Sequence, residues 1–203
     1  MKKKIVVFYG YKGSGKDTCH DMLKDMSADI VKQFSFAEPL RNVCWSLFGK
    51  KIEQKERLYG SISRKEEAIK GWIIPENIRL SCGFTEKEWT GRRLLQWMGT
   101  DVCRNIYDNI WVDMLVTDIQ CSEHLYDIAV VTDCRFKNEY EALKKLGNEF
   151  DVQFIYVDRG TSDNAFSGHA SERDMADFEY DICIENRGTK EELEMEVSKL
   201  FIL

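Results

Sequence analysis

The amino-acid sequence predicts an α/β fold built on a five-stranded, mainly parallel sheet flanked by helices. Short apolar segments rich in β-branched residues alternate with segments of helical periodicity, which is typical of parallel sheets. Three glycines, Gly10, Gly13 and Gly15, directly follow the first apolar segment. With 203 residues, of which 43% are hydrophobic, the chain is long enough for one domain with a sizeable core.

Five segments carry the strand pattern. We predict strands over residues 4–10, 30–37, 126–133, 152–157 and 180–186. The segments between them have apolar faces at helical spacing, as in the helix that follows the glycines. The last helix, over 189–201, is predicted to begin with a capping box formed by Thr189 and Glu192.

Two stretches depart from this alternation. Residues 50–89 are polar and weakly periodic, so we interpret them as an insertion of short helices and loops, with a possible capping box at Thr85 and Glu88. Residues 159–174 are rich in Gly, Ser, Asp and Asn, which is typical of a loop. We therefore expect a single domain over 1–203 that carries an insertion and one long loop.

Charge and cysteine content narrow the class of protein. The net charge is −6, from 29 basic and 35 acidic residues, whereas general nucleic-acid binders usually carry a basic surface. The seven cysteines are scattered and form no C-x-x-C pair, and no secretory signal is recognisable. No segment approaches the roughly 20 apolar residues of a membrane span. We expect a cytoplasmic protein that binds neither nucleic acid nor membrane.

The glycine cluster matches a phosphate-binding loop (P-loop), because Gly10-x-x-x-x-Gly15-Lys16 lies between a predicted strand and a predicted helix. Glycines allow successive backbone N–H groups to surround phosphate oxygens, and the helix start adds partial positive charge. The full charge of Lys16 lies near the β- and γ-phosphates of a nucleotide. The residues predicted to bind these phosphates are Gly13, Ser14, Gly15, Lys16, Asp17 and Thr18.

The loop departs from the usual pattern at Asp17, where a Ser or Thr normally follows the lysine. Mg²⁺ prefers oxygen ligands and keeps several waters, so a carboxylate at Asp17 could hold it directly or through water. The alternative is an acidic residue that stabilises the first turn of a helix. GTPases, ATPases and small-molecule kinases all carry P-loops, so the loop alone does not define the reaction.

Six segments together resemble the deoxynucleoside monophosphate kinases of tailed bacteriophages. They are GYKGSGKDT, FAEPLRNVCWSLFG, GRRLLQWMGTD, WVDML, VVTDCRFKNEYEAL and HASE…GTKEELEMEV, in this order along the whole chain. The resemblance implies a P-loop kinase fold in which 50–89 is a helical acceptor-binding insertion and 159–174 a short lid. It also implies transfer of the γ-phosphoryl group of ATP to a deoxynucleoside monophosphate, with Mg²⁺. Many relatives have Thr-Pro-Arg where this chain has Thr90-Gly91-Arg92.

Phosphoryl transfer depends on positioning and positive charge, so basic residues carry most of the predicted roles. By resemblance, Arg41 holds the acceptor's phosphate, and Arg57 is a weaker candidate for the same task. Arg92 and Gln96 are one helical turn apart and are expected to contact the acceptor, with Arg93 as the alternative to Arg92.

The aromatic and loop candidates have plain alternatives. Trp97 and Trp111 could stack on a base, or they could pack in the core. Lys12, inside the P-loop, could touch the phosphates of both nucleotides, or it could be a solvated lysine.

The remaining candidates follow the third and fourth strands. Asp133 ends the third strand and would orient Mg²⁺ or its waters, while Arg135 would point toward the transferring phosphate. The alternative for this pair is a structural salt bridge. Arg159 and Arg173 bound the predicted lid, which in nucleotide kinases brings arginines over the γ-phosphate.

Two rival functions remain at this stage. Another small-molecule P-loop kinase, acting on phosphomevalonate or dephospho-coenzyme A, should lack the L-L-Q-x-x-G-T-D segment that this chain has. A nucleotide-dependent switch would need a guanine-reading motif such as N-K-x-D, which does not occur here. The choice of base and a possible homodimer stay open.

Overall fold

The computed structural model describes residues 2–11, 13–160 and 175–201. In chain order the strands are β1 (Lys4–Tyr9), β2 (Val31–Phe34), β3 (Ala68–Ile73), β4 (Glu88–Thr90), β5 (Ile128–Val131), β6 (Asp151–Asp158) and β7 (Ile182–Glu185). The α-helices are α1 (Lys16–Met26), α2 (Ala37–Ile52), α3 (Glu56–Tyr59), α4 (Ile62–Glu66), α5 (Glu76–Ser81), α6 (Gly91–Gln96), α7 (Ile110–Cys121), α8 (Lys137–Lys145) and α9 (Lys190–Ser198).

The chain divides into two compact units. The first unit comprises Met1–Phe36 and Val112–Leu203, and the second unit comprises Ala37–Trp111. None of the helices in the described part of the chain combines the length and hydropathy that a membrane span requires.

The first unit contains a five-stranded parallel sheet in the order β2-β5-β1-β6-β7. In the central register, Val7 of β1 pairs with Val131 of β5 and with Phe154 of β6. The predicted α/β fold with five parallel strands flanked by helices is thus confirmed. Because all strands run the same way, the loop after β1 and the residues after β2 and β5 lie at the same edge of the sheet.

Both faces of this sheet are buried, which explains why the strand sequences are apolar without alternation. Ile5 and Val7 pack on one face, in a core shared with residues of α7 and α8. Val6 and Phe8 pack on the other face against residues of α1 and α9. The predicted capping box is present at the start of α9, where the Thr189 N–H donates to Glu192 at 2.7 Å and the Glu192 N–H donates to Thr189 Oγ1 at 3.3 Å.

The second unit differs from the prediction for residues 50–89. It contains an antiparallel pair of strands, β3 and β4, in addition to short helices. The expected capping box at Thr85 and Glu88 is wrong, because Glu88 belongs to β4. The cap lies at Thr90 instead, whose Oγ1 accepts a hydrogen bond from the Arg93 N–H at 3.1 Å. β4 has three residues, too few for an alternating pattern to be recognised.

Tryptophans form the centre of the second unit's core. The ring centroid of Trp89 lies 5.9 Å from that of Trp72, 5.3 Å from that of Trp97 and 6.4 Å from that of Phe84. After α6 the chain continues as a π-helix over Trp97–Arg104. A Cβ atom at Gly91 would lie 1.7 Å from the carbonyl oxygen of Arg57, so the backbone of α3 approaches the start of α6 where this glycine stands.

Candidate active site

The loop between β1 and α1 has the backbone of an anion-binding nest. Gly10, Gly13 and Gly15 all have positive φ angles, of 146°, 78° and 103°. At Gly15 a side chain is excluded twice, because the backbone is left-handed and a Cβ atom would lie 2.4 Å from Nδ2 of Asn186. The loop therefore turns sharply into the first turn of α1. The N–H groups of a helix's first turn have no partner within the helix and can bind an anion at its N-terminus.

Two side chains from other strands hold this loop by its carbonyl groups. Asn186, directly after β7, donates from Nδ2 to the Ser14 carbonyl oxygen at 2.7 Å. Arg159, directly after β6, donates from Nη1 to the Gly13 carbonyl oxygen at 2.9 Å. These two hydrogen bonds hold the loop in the conformation of its three glycines, which is that of an anion-binding nest.

Lys16, the first residue of α1, folds back over the loop. Its Nζ donates to the carbonyl oxygens of Gly10 and Tyr11, each at 2.9 Å, and to Ser14 Oγ at 3.3 Å. The pKa of Lys16 is lowered to about 8, first by burial and then by the positive charge of Arg135, while Asp17 and Asp133 oppose the shift. The ammonium group is therefore partly desolvated and would gain from a negatively charged ligand.

Asp17 lies in the first turn of α1 and is tied to the edge of the sheet. Its Oδ1 accepts a hydrogen bond from Thr132 Oγ1 at 3.0 Å, and Thr132 Oγ1 accepts one from Gln33 Nε2 at 3.0 Å. The next residue, Thr18, is half-buried in α1. Asp17 stands where a P-loop usually has a hydroxyl, and the Thr132 hydroxyl is bonded to its carboxylate.

Asp133 is the second carboxylate at this edge. Its Oδ2 accepts a hydrogen bond from Ser35 Oγ at 2.6 Å, and its Oδ1 accepts one from the Phe36 N–H at 3.0 Å. Both partners follow β2, the strand that pairs with β5. Asp17 and Asp133 both act electrostatically on Lys16. Two carboxylates held by hydrogen bonds suit Mg²⁺, which usually takes one or two carboxylates together with phosphates and waters.

The side chain of Arg135 is exposed, and the backbone that carries it is held by Glu139. Glu139, in the first turn of α8 and only 2% exposed, accepts hydrogen bonds from the backbone N–H groups of Arg135 at 2.8 Å and of Phe136 at 3.1 Å. The backbone of the segment that carries Asp133 and Arg135 is therefore held in place by hydrogen bonds.

The second unit carries four predicted acceptor-binding residues. The Nε atoms of Arg41 and Arg57 are buried and have no hydrogen-bond partner within the described residues, although Arg57 Nη1 donates to the Ala68 carbonyl oxygen at 2.8 Å. Arg92, at the surface, pairs with Glu66 at 3.2 Å. The side-chain oxygen of Gln96 accepts a hydrogen bond from Arg93 at 3.0 Å.

The remaining candidates are the tryptophans and the residues of the lid. Trp111 is 3% exposed and donates from its indole nitrogen to the Gly99 carbonyl oxygen at 3.1 Å, which matches the alternative in which it packs in the core. Lys12, Arg173 and the lid residues 161–174 lie outside the described residues.

Comparison with known proteins decides the family. The family model for deoxynucleotide monophosphate kinases matches residues 56–197, more than half of the chain. The chain belongs to the deoxynucleotide monophosphate kinase family.

Relatives of the kinase extend the likeness over most of its length. A putative deoxynucleotide monophosphate kinase of Acanthamoeba polyphaga mimivirus is 31% identical, covering 93% of this chain and 91% of its own. The deoxynucleoside-5'-monophosphate kinase of Escherichia phage T5 is 28% identical over 83% of each chain. The enzyme of Enterobacteria phage T4 is 25% identical over 94% of this chain and 95% of its own. A solved dephospho-CoA kinase from Campylobacter jejuni covers 98% of this chain and 96% of its own at 15% identity, with a TM-score of 0.47.

These relationships confirm the predicted activity. The kinase is an ATP-dependent phosphotransferase that acts on deoxynucleoside monophosphates, as the sequence segments predicted. The rival assignments, a different small-molecule kinase or a nucleotide-dependent switch, are set aside by the family membership.

Sequence reasoning missed several side chains of the kinase's first unit. They are Gln33, Ser35, Thr132, Glu139 and Asn186, each of which holds a loop or a carboxylate. Glu139 could have been predicted, because it belongs to the segment VVTDCRFKNEYEAL on which the resemblance rests. The others have no local signal, because their partners are distant in the sequence.

Proposed function

We propose that the kinase binds the triphosphate of ATP in the loop 10–18, with Lys16 at its mouth, and that Asp17 and Asp133 hold Mg²⁺. The observation that carries this proposal is the environment of Lys16. Its ammonium group is bonded to three oxygens of the loop, and two carboxylates and Arg135 act on it. Phosphoryl transfer requires such a concentration of charge around the transferring group.

In this proposal each group has a distinct task. The loop N–H groups and Lys16 bind the β- and γ-phosphates, which would require Lys16 to exchange at least one of its three loop partners for a phosphate oxygen. Arg135 stabilises the charge that develops on the transferring phosphoryl group. Arg159, anchored on the Gly13 carbonyl, lies beside the same loop and would act on the phosphates from there. Asp17 and Asp133 supply oxygen ligands, and Mg²⁺, when bound, neutralises phosphate charge.

Among the described residues, no group of three or more His, Cys, Asp and Glu side chains could surround a metal ion. The donor set of this kinase fits a metal that takes its remaining ligands from phosphates and water. That is the usual composition of a magnesium site in phosphoryl transfer.

For the acceptor we propose the second unit, with Arg41 and Arg57 as ligands of the monophosphate. A buried guanidinium nitrogen without a partner costs about 1–3 kcal/mol, and a phosphate could relieve this cost. Arg92 and Gln96 are proposed to contact the same nucleotide, which would require Arg92 to leave Glu66 and Gln96 to leave Arg93. Lys12, Trp111, Arg173 and the acceptor and lid roles of 50–89 and 159–174 stay predictions.

We also propose a cytoplasmic location and free nucleotides rather than nucleic acid as ligands. All seven cysteines are free thiols, which is typical of a reducing compartment, and the net charge is −6.

A coupled assay tests the proposed site. Purified kinase is incubated with ATP, Mg²⁺ and each of dAMP, dCMP, dGMP and dTMP, and ADP formation is followed. We expect turnover with at least one acceptor and its loss in Asp133→Asn. Transfer by the wild type that persists unchanged in Asp133→Asn would remove Asp133 from the metal site. Absence of turnover with every acceptor would refute the activity itself.

A further inference from the structure

We infer that Thr132 and Gln33 are positioning residues for Asp17, and that together they replace the hydroxyl that normally follows the lysine of a P-loop. The inference rests on the proposed function, since it takes Asp17 as a ligand of Mg²⁺. Neither residue is proposed to touch substrate. Their task is to hold one oxygen of the carboxylate in place.

The direction of both hydrogen bonds follows from chemistry. A carboxylate only accepts, so the Thr132 hydroxyl must donate to Asp17 Oδ1 at 3.0 Å. With its only proton used, Thr132 Oγ1 must accept, and the group that lies 3.0 Å away is the side-chain amide of Gln33, whose NH₂ donates. The three side chains therefore form a relay with a single orientation.

The fold explains why these residues meet. β2 and β5 are parallel neighbours in which Gln33 pairs with Val130 and Phe34 with Val131, so the end of β2 lies beside Thr132. Thr132 is 6% exposed, and water has little access to replace its partners. A polar side chain at such a position is retained only when its hydrogen bonds are satisfied. The relay satisfies them.

The relay has a consequence for metal binding. Mg²⁺ demands nearly ideal octahedral geometry, and a carboxylate free to rotate would meet that demand less often. Hydrogen bonds from neighbouring groups orient metal-binding carboxylates, and their loss typically lowers metal affinity or activity about 10–100-fold. In this kinase the relay fixes Oδ1 of Asp17 and leaves Oδ2 outside the relay.

A purely structural role for Thr132 predicts something different. The hydroxyl would then tie α1 to the sheet, and its removal would weaken the whole loop, including its grip on phosphates. The inference predicts a selective loss of metal affinity with metal-free nucleotide binding preserved. The two roles therefore differ in a measurement that does not involve turnover.

The test compares Thr132→Val, which keeps the shape and removes the hydroxyl, with Thr132→Ser, which keeps the hydroxyl. Mn²⁺ serves as the probe, and its free concentration is read by electron paramagnetic resonance in the presence of ATP. We expect Thr132→Val to weaken Mn²⁺ binding about tenfold or more and Thr132→Ser to stay within about threefold of wild type. Gln33→Leu should fall between them, because the hydroxyl remains but its orientation is no longer fixed.

Calorimetric titration of ATP in EDTA supplies the second readout. Metal-free ATP affinity should stay within about twofold in Thr132→Val, because the loop and Lys16 are untouched. Thr117→Val, at an exposed position of α7, is the matched control for the same chemical change and should leave both readouts unaltered. Circular dichroism checks that each variant is folded.

Unchanged Mn²⁺ affinity in folded Thr132→Val overturns the inference, as does an equal loss of metal-free ATP binding. If Thr132→Val does not fold, Gln33→Leu decides, and unchanged Mn²⁺ affinity in that variant overturns the inference. Failure of the proposed function is a separate result, because it is absence of phosphoryl transfer or of Mn²⁺ binding in the wild type. Normal transfer by the wild type with unaltered Mn²⁺ binding in the variants contradicts the relay alone.

Discussion

The P-loop and the arginine-bearing helices of the second unit differ in how fully their basic side chains are hydrogen-bonded. In the loop, the ammonium of Lys16 has three oxygen partners and Arg159 is bonded to a backbone carbonyl. In the second unit, the buried Nε atoms of Arg41 and Arg57 have no hydrogen-bond partner within the described residues. Under the proposed assignment, the ATP site is preorganised and the acceptor site has unused donors.

The difference has a kinetic meaning. Groups that are already in place before binding act mainly on the transition state, because no energy is spent in ordering them. Groups that gain their hydrogen bonds only on binding contribute to the affinity for the ground state as well. We therefore expect variants of the first unit to change kcat and variants of the second unit to change KM for the acceptor.

The largest effect is expected for Lys16→Ala. Removal of the ammonium group that we propose to bind the transferring phosphate should lower kcat about 10³-fold. The measurement is the coupled assay at saturating ATP and acceptor, with the thermal midpoint as a check on folding. A kcat within tenfold of wild type would contradict the role of Lys16 and would remove the first half of the comparison.

Arg41→Ala should raise KM for the acceptor about 10–100-fold while KM for ATP stays constant. A hydrogen bond to a charged group contributes about 1.5–3 kcal/mol, and each 1.4 kcal/mol corresponds to a factor of ten. Initial rates with each substrate varied in turn provide both constants.

Arg79→Ala is the matched control for Arg41→Ala. Arg79 is an arginine of α5 whose ion pair with Glu76, at 3.9 Å, lies on the surface. Its replacement should alter neither constant. A rise in KM for ATP rather than for the acceptor in Arg41→Ala would reverse the assignment of the two regions.

The pH dependence of metal-free ATP binding sharpens the account of Lys16. Because the pKa of Lys16 is lowered to about 8, the free enzyme loses this positive charge as the pH rises through that value. ATP affinity should therefore fall by up to about tenfold per pH unit above 8. Calorimetric titrations between pH 6.5 and about 9.5 follow this decrease.

Arg135→Ala tests whether the charge of Arg135 sets the pH at which ATP affinity decreases. Arg135 lowers the pKa of Lys16, so its removal should raise that pKa and move the decrease to higher pH. A decrease that stays at the same pH in Arg135→Ala would mean that the two charges do not interact.

The smallest effect is expected for Gly15→Ala. The left-handed backbone should cost about 1–2 kcal/mol, and the contact with Asn186 should add to this, which corresponds to a decrease of several degrees in Tm. Gly71→Ala isolates the backbone contribution, because Gly71 has a φ of +76° and a Cβ atom added there would have no atom within 4 Å.

A double variant, Gly15→Ala with Asn186→Gly, separates the steric contact from the backbone strain. If the contact matters, the loss of stability in the pair is smaller than the sum of the two single losses. Additive losses would indicate that Asn186 and Gly15 are independent, and the loop would then be less constrained than its hydrogen bonds suggest.

The extent to which sequence alone predicts this molecule depends on the range of the interactions. The loop at Gly10–Lys16 and the capping box at Thr189 were predicted, because their partners lie within a few residues. Thr132 and Asp17 are 115 positions apart, and Asn186 and Ser14 are 172 apart. Only the strand order brings them together, and no local pattern encodes it. The β3–β4 pair was missed because β4 has only three residues and because Gly71 interrupts the apolar residues of β3.

The close approach of the Arg57 backbone to Gly91 limits how this kinase can exchange parts with its relatives. A segment transplanted from a homologue with proline at position 91 would collide with α3 unless the stretch around Arg57 came from the same parent. Chimeras should therefore fold only when both segments share one origin, so the stretches around positions 57 and 91 are inherited as one block.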